Sequence, residues 1–366
     1  MTGRPTGLAR ERRLLFLRIL AASGVVGAIF GLRLALDRSP DALPMNVAVG
    51  VLNALLIAGA IAGSEIFLLR EGPSTRGLLA LPFAALVLLK TLAYGAVITA
   101  VVVGSGRILD ALLPAGKASP LTARGEAMVV AASLVVTLFF VVLQQAMGLV
   151  GRRTFRNLLI GRYRRPRLER RFFLFVDVVG STTLAERVGP LEAHRFLGAV
   201  FSALAEPVAA CRGEIYQYVG DEMVVTWTED EGRGGEAGEA RPLRCYFEML
   251  AALDARRAEF EAGFGAHPEL RAALHFGEVV AGEVGVMRRA IVYHGDVMNT
   301  ASRLEHATRE LGCRFIASAG AVDALSRAPD LELRDLGALA LRGRQETLRA
   351  YGISVRDSTG AAASGA

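Results

Sequence analysis

Four stretches of the chain, at about 14–36, 45–69, 78–103 and 126–150, are long and apolar enough to cross a lipid bilayer as helices. A hydrocarbon core needs roughly 20 apolar residues in helical form, and within it each backbone polar group must be satisfied by the segment itself. The first half of the chain is therefore predicted to be a bundle of four transmembrane helices. A hydrophobic fraction of 52% over 366 residues excludes a disordered chain, a secreted disulfide scaffold and a collagen-like fibre. Turn and charge signals such as Asp37-Arg38-Ser39-Pro40 and Arg70-Glu71-Gly72-Pro73 separate the apolar runs.

Orientation follows from the Lys/Arg asymmetry of the flanks. Arg4, Arg10, Arg12, Arg13, Arg70, Arg76 and nine arginines from Arg152 to Arg171 fall on one side; Arg38, Arg107, Lys117 and Arg124 fall on the other. Both termini are expected in the cytoplasm, giving a multi-pass protein of the inner or plasma membrane. The first run outlasts a signal-peptide core and no small-residue cleavage pattern follows it, so it reads as a retained anchor. Gly27 with Gly31, and Gly59 with Gly63, have the spacing that permits close helix–helix approach, against a glycine-rich background of 40 residues. Glu65 and Lys90 interrupt apolar runs. They could pair, but Glu65 lies one or two turns from Arg70 and is expected to snorkel toward the headgroups.

The charge is uneven. Residues 1–171 hold 22 Lys+Arg against 8 Asp+Glu, and residues 172–356 hold 20 against 27, so the net +6 averages a basic half and an acidic half. That pattern implies a lipid bilayer as a partner and no nucleic acid. Cys211, Cys245 and Cys313 form no CxxC pair and read as reduced thiols.

The predicted order is a cytoplasmic flank (1–13), the four-helix transmembrane domain (14–150), a basic coupling linker (151–171), a soluble domain (172–356) and a disordered tail (357–366). In the soluble part, short β-runs alternate with amphipathic helices. Strands are predicted at Phe172–Val179, 214–219, 223–227, 270–276, 279–284, near Phe315, and as a pair over 331–354. Helices are predicted over 181–210, 242–262 and 297–311, with a charged, glycine-rich loop at 229–241. This order predicts an α+β, ferredoxin-like sandwich.

Several residues in this domain carry chemical potential. Asp177 ends the first strand and is followed by Gly180, Ser181 and Thr182, which open a helix: a carboxylate beside backbone N–H groups suited to phosphate, or simply a helix cap. Asp221 sits in the Gly220-Asp221 turn between two strands; if these adjoin the first strand, the two carboxylates share one volume, as divalent-cation sites require. Otherwise Asp221 is ordinary turn chemistry. Asn299 and Arg303 lie on one face of a helix that Asp296 could cap. Arg344 lies in the turn Leu341-Arg342-Gly343-Arg344-Gln345.

The ordered segments FVDVVGST, YVGDEMVV, GDVMNTASR and LRGR resemble the motifs of the class III nucleotidyl cyclases over about 172–354. The resemblance implies a membrane-bound cyclase acting as a homodimer, with each site split between two chains and two Mg²⁺ (or Mn²⁺) per site. Asp177 and Asp221, with the Val178 backbone carbonyl, match the metal positions; Asn299 and Arg303 match the ribose-positioning and transition-state residues. Gly180, Ser181 and Thr182 match phosphate-binding positions, and Arg344 falls where the family usually has a lysine. The implied reaction is in-line attack of the ribose 3′-oxygen of a nucleoside triphosphate on its α-phosphorus, releasing pyrophosphate.

The base-selecting positions depart from the family pattern. By spacing they are Gln217 and Val292, and residues 172–366 contain no lysine. A glutamine amide pairs with either purine, valine reads neither, and no carboxylate is present for the guanine N–H groups. ATP is the expected substrate and cyclic AMP the product. GTP is the alternative, as is a degenerate cyclase-like receptor module. A diguanylate cyclase is disfavoured, because Val219 stands where a second glycine is needed.

Overall fold

A computed structural model describes residues 7–38, 43–68, 81–112, 123–234, 238–287, 289–325, 330–341 and 347–356. The chain divides into two compact units, Met1–Phe155 and Arg156–Ala366.

The first unit contains helices α1 (Gly7–Arg38), α2 (Leu43–Gly63), α3 (Phe83–Leu112) and α4 (Ala123–Val150). Among the described residues, three helices are long and apolar enough to cross a membrane, and four if α4 is counted with the short helix that follows it. Side chains such as Phe30 and Phe139, 66% and 63% exposed, point outward as lipid-facing residues do. The α1–α2 contact depends on glycine. A Cβ on Gly27 would lie 2.3 Å from the Gly50 carbonyl oxygen, and one on Gly31 would lie 2.3 Å from that of Asn46. Only hydrogen fits at either place. Gly59 and Gly63 make no such approach; their nearest neighbours are ordinary contacts with Leu20 and Phe16.

Glu65 does not snorkel. Helix α2 ends in a π-helical turn, Ser64–Leu68, that carries it. Its Oε1 lies 2.7 Å from Lys90 Nζ on α3 and also accepts the Tyr94 hydroxyl. Lys90 and Tyr94 are buried. An unpaired charge is costly in an apolar surround, and here Glu65 and Lys90 satisfy each other instead of reaching separately for the headgroups.

The short helix α5 (Arg152–Leu159) runs across the boundary between the units and leads through a turn into β1 (Arg167–Val178) of the second. β1 begins five residues earlier than its apolar run, because pairing with β4 (Leu270–Val284) starts at Arg167↔Ala281. Next come α6 (Ser181–Val188), α7 (Pro190–Ala210), β2 (Glu214–Val219) and β3 (Glu222–Thr228). The predicted single helix over 181–210 is broken at Gly189, whose φ of 86° suits glycine, with Pro190 starting the next helix. Helices α8 (Glu229–Arg233), α9 (Arg241–Asp254) and α10 (Arg257–Phe264) precede β4. The N-terminal part of the expected 229–241 loop is thus helical, closed by a Thr228/Glu231 capping box.

β4 is one strand where two were expected. Gly277 runs through it because a Cβ there would meet Val297 Cγ2 at 2.6 Å, so the glycine lets a helix lie close to the strand. β5 (Ala290–His294) was not foreseen; then follow α11 (Asp296–Glu310), β6 (Phe315–Ser318), α12 (Ala319–Ala324), β7 (Leu331–Leu339) and β8 (Leu348–Val355).

The eight strands form one sheet in the order β2-β3-β1-β4-β6-β8-β7, with β5 paired to β4. The β2-β3-β1-β4 core, with helices after β1 and β3, is the expected ferredoxin-like arrangement. From Arg171 to Val178 every residue of β1 is buried, so both faces of the strand are covered. Phe172, Leu174 and Val176 pack with Phe196, Leu204 and Met249. Phe173 and Phe175 face the other way, toward Tyr163, Tyr293, Val297 and Ala301. Cys211, Cys245 and Cys313 are free and buried, as predicted for reduced thiols.

Lys90→Leu leaves Glu65 facing an apolar interior with the Tyr94 hydroxyl alone. It is expected to cost the full-length protein in detergent about 3 kcal/mol of stability. The double replacement Glu65→Leu/Lys90→Leu should recover most of that loss. Denaturant unfolding of both variants checks this, and equal losses would contradict the buried pair.

Candidate active site

β1 ends in the buried carboxylate of Asp177, and strand register decides what surrounds it. Pairing with β3 sets Glu222 opposite Asp177, and pairing with β4 sets Arg271 on its other side. The β2–β3 turn, with Gly220 at φ 64°, then folds over the end of β1, where the Val178 amide donates to the Asp221 carbonyl at 3.2 Å. Gly180, also left-handed at φ 73°, turns the chain into α6. That turn lets the buried Ser181 hydroxyl donate to the Asp221 carboxylate. Asp177, Val178, Gly180, Ser181 and Asp221 are thus gathered at one end of the sheet, with Thr182 exposed beside them.

The electrostatics are those of crowded acids. Burial raises the Asp177 carboxyl above its ordinary range; Arg309, hydrogen-bonded at 3.0 Å, opposes this, and the Asp221 charge adds to it. Arg271 reaches the same Oδ2 at 3.5 Å. Glu222 is pushed up to about 7, first by burial and then by the charges of Glu305 and Asp177. Glu305, 2% exposed, is raised by burial and by Asp177, and its Oε1 has no hydrogen-bond partner among the described residues. Four carboxylates in one neighbourhood, offset on Asp177 by two arginines, form a region that gains from added positive charge.

Sequence reasoning did not single out Glu222, Arg271, Glu305 or Arg309. Glu305 and Arg309 do lie at i and i+4 on α11, a detectable spacing, but only the fold turns that face toward β1. Asn299 and Arg303 occupy a different face of α11, since Glu305 follows Arg303 by about 200° around the helix. Asn299 is exposed and Arg303 half-buried. Among the described residues neither makes a side-chain hydrogen bond or ion pair with Asp177 or Asp221. Asp296 is the first residue of α11 rather than its N-cap, which is Gly295, and it accepts from the Thr300 hydroxyl at 3.1 Å.

Gln217 is exposed on the edge strand β2, just after a bulge, opposite Val224. Val292 is half-buried on β5, opposite Gly282. Their neighbours Tyr216 and Tyr293 have ring centroids 5.0 Å apart, which draws β2 and β5 together across the sheet face. Arg344 lies outside the described residues.

Among the described residues no three His, Cys, Asp or Glu side chains come together as a metal cage. Asp177 and Asp221 can therefore hold a hard divalent cation only where a backbone carbonyl and oxygens from another molecule complete its shell, which is usual for Mg²⁺.

Residues 166–354 match the family described as the adenylate and guanylate cyclase catalytic domain. The chain is 40% identical over 212 residues to adenylate cyclase 2 of Rhizobium meliloti, a match spanning 58% of this chain and 57% of that protein. It is 29% identical over 186 residues to an adenylate cyclase of Anabaena cylindrica, spanning 49% of this chain and 36% of the relative. The chain thus spans about half, or less, of the length of these curated relatives. A solved bacterial light-regulated adenylyl cyclase is 22% identical, with a TM-score of 0.49 over 60% of this chain and 64% of that one.

Because the folded-state value of Glu222 is raised from 4.5 to about 7, the stability tied to its protonated form is complete below about 4.5. That stability is lost as pH rises through 7. With divalent ions chelated, Glu222→Gln should raise the thermal midpoint clearly at pH 8 and far less at pH 5. Equal shifts at the two pH values would contradict the crowding of acids around Asp177.

Proposed function

The chain belongs to the adenylate and guanylate cyclase catalytic-domain family, and on that premise we propose that it is a membrane-bound adenylate cyclase. It converts ATP to 3′,5′-cyclic AMP and pyrophosphate and acts as a homodimer. Residues 14–150 anchor it, 151–171 couple the anchor to the enzyme, and 172–356 carry the chemistry, with both termini in the cytoplasm.

The observation that carries this reading is the convergence of Asp177 and Asp221 at the end of β1, where the Val178 amide and Ser181 hydroxyl hold the turn in place. The crowded, raised carboxyl of Asp177 fits a cation-binding role. Mg²⁺ or Mn²⁺, two per site, would be held by Asp177, Asp221 and the Val178 carbonyl; when bound they offset triphosphate charge and acidify the ribose 3′-hydroxyl. The turn at Gly180, Ser181 and Thr182 presents backbone N–H groups to phosphate oxygens. Asn299 orients the ribose, and Arg303 donates to the α-phosphate as negative charge builds there, an effect strongest in the transition state. Arg344 is assigned to the terminal phosphates, which a guanidinium can grip in two places.

The two faces of α11 support a dimer. Asn299 and Arg303 lie on a different face from Glu305 and make no side-chain contact with Asp177 or Asp221 among the described residues, which fits a second copy supplying them to each site. The choice of ATP is supported by the names of the relatives, which are adenylate cyclases. It is also supported by the lack of a carboxylate at Gln217 or Val292 to bind the guanine N–H groups.

Cyclic nucleotide formation by the purified full-length protein, with Mg²⁺ or Mn²⁺, is the direct test. ATP should be preferred; a strong preference for GTP would overturn the base assignment. Asp177→Ala and Arg303→Ala should each lower the rate by roughly 100-fold or more. Co-expression of Asp177→Ala/Asp221→Ala chains with Asn299→Ala/Arg303→Ala chains should restore part of the activity, because a mixed dimer holds one intact site. Proven mixed dimers without recovery would refute the shared site.

A further inference from the structure

Six residues before Asp177 on β1 lies a second buried charge that the nucleotide chemistry does not use. Arg171 is 1% exposed. Its Nη1 lies 2.9 Å from Glu169 Oε2, its Nη2 3.4 Å from Glu214 Oε2, and its Nε donates to Thr226 Oγ1 at 3.1 Å. The guanidinium also lies 4.6 Å from the centroid of the Tyr293 ring. Replacing a whole buried ion cluster of this kind by apolar residues of similar volume is often neutral for stability, whereas removing the arginine alone strands Glu169 and Glu214. Stability alone therefore gives little reason for a charge at this place.

What the cluster joins gives a better one. Tyr163, in the turn that follows α5, donates its hydroxyl to Glu169 at 3.1 Å, and its carbonyl accepts the Glu283 amide at 2.9 Å. Pro166 of the same turn lies beside Gly282, which pairs with Val292. Glu214 belongs to β2, three residues before Gln217. Tyr293 follows Val292 on β5, precedes Asn299 by six residues, and its ring neighbours that of Tyr216. The turn leading in from the linker, both base-facing strands and the approach to α11 thus meet on one guanidinium.

We propose that Arg171 is a positioning residue that ties the linker turn to the nucleotide-facing strands. Through Glu169 it holds Tyr163, and through Tyr293 and Glu214 it fixes the spacing of β5 and β2, hence of Val292, Gln217 and the start of α11. A displacement of residues 160–166 is passed to those strands through hydrogen bonds with defined geometry, which an apolar contact would let slip. The functional part of this inference rests on the cyclase reading; the mechanical part does not.

The test uses the full-length protein with Arg171→Met, Arg171→Lys and Tyr163→Phe. Backbone hydrogen exchange over 290–303, with 315–318 and 350–353 as internal references, reads the mechanical coupling. Exchange over 290–303 should quicken about fivefold or more in Arg171→Met, with the references unchanged. Tyr163→Phe, which removes one hydroxyl and keeps the ring, should shift the same segment less. In parallel, the KM for ATP should rise about tenfold in Arg171→Met and the ATP-to-GTP preference should change, with partial recovery in Arg171→Lys. A folded Arg171→Met with unaltered exchange over 290–303, or with uniform acceleration of the whole unit, overturns the proposal. Should that variant not fold, unaltered exchange in Tyr163→Phe overturns it equally. If the wild-type protein forms no cyclic nucleotide, the cyclase reading fails while the exchange comparison still decides the coupling.

Discussion

The antiparallel pairing of β1 with both β3 and β4 is the constraint on which the rest of the second unit depends. A strand buried on both faces must satisfy all its backbone groups laterally, and its side-chain alternation then leaves no freedom of register. One slip would send Phe172, Leu174 and Val176 to the face of Phe173 and Phe175, and would carry Asp177 away from the β2–β3 turn. The hydrophobic core therefore aims the carboxylate. Asp177 needs no dedicated scaffold, because the packing that stabilises the sheet also fixes where the strand ends.

Buried charge is handled by one physical rule in both units. In the helical unit, Glu65, Lys90 and Tyr94 satisfy one another where solvent is absent. In the second unit, Arg171 is enclosed by two carboxylates, a threonine hydroxyl and an aromatic face. The acids around Asp177 differ, because their mutual repulsion is only partly offset by Arg309 and Arg271. A network left short of positive charge is suited to receive a cation, as the proposed function requires. The cluster around Arg171 is balanced, and the one at the end of β1 is not.

The glycines of the helical unit bear on the proposed dimer. Gly27 and Gly31 are used up in the α1–α2 contact inside one chain. Gly59 and Gly63, which have the same spacing, meet no backbone at close range. Two chains held in one membrane face each other at raised effective concentration. An anchor of this kind favours a site assembled from two copies even when the soluble parts associate weakly.

By itself the sequence determined the apolar helices and the α+β class of the second half, and it singled out Asp177, Asp221, Asn299 and Arg303 as candidates. The first two follow from local periodicity, and the candidates from short motifs read along the chain and the family they resemble. It did not reveal β5, a five-residue strand whose pairing partner is the far end of β4, nor that Gly277 continues a strand under α11. It also pointed Glu65 toward the headgroups, because Arg70 is near in sequence whereas Lys90 is near only in space. The crowding of Glu222, Glu305 and Arg309 on Asp177, and of Tyr163, Glu214 and Tyr293 on Arg171, was decided by tertiary structure alone. Those contacts join residues up to 132 positions apart, and only the register of one buried strand against its neighbours brings them together.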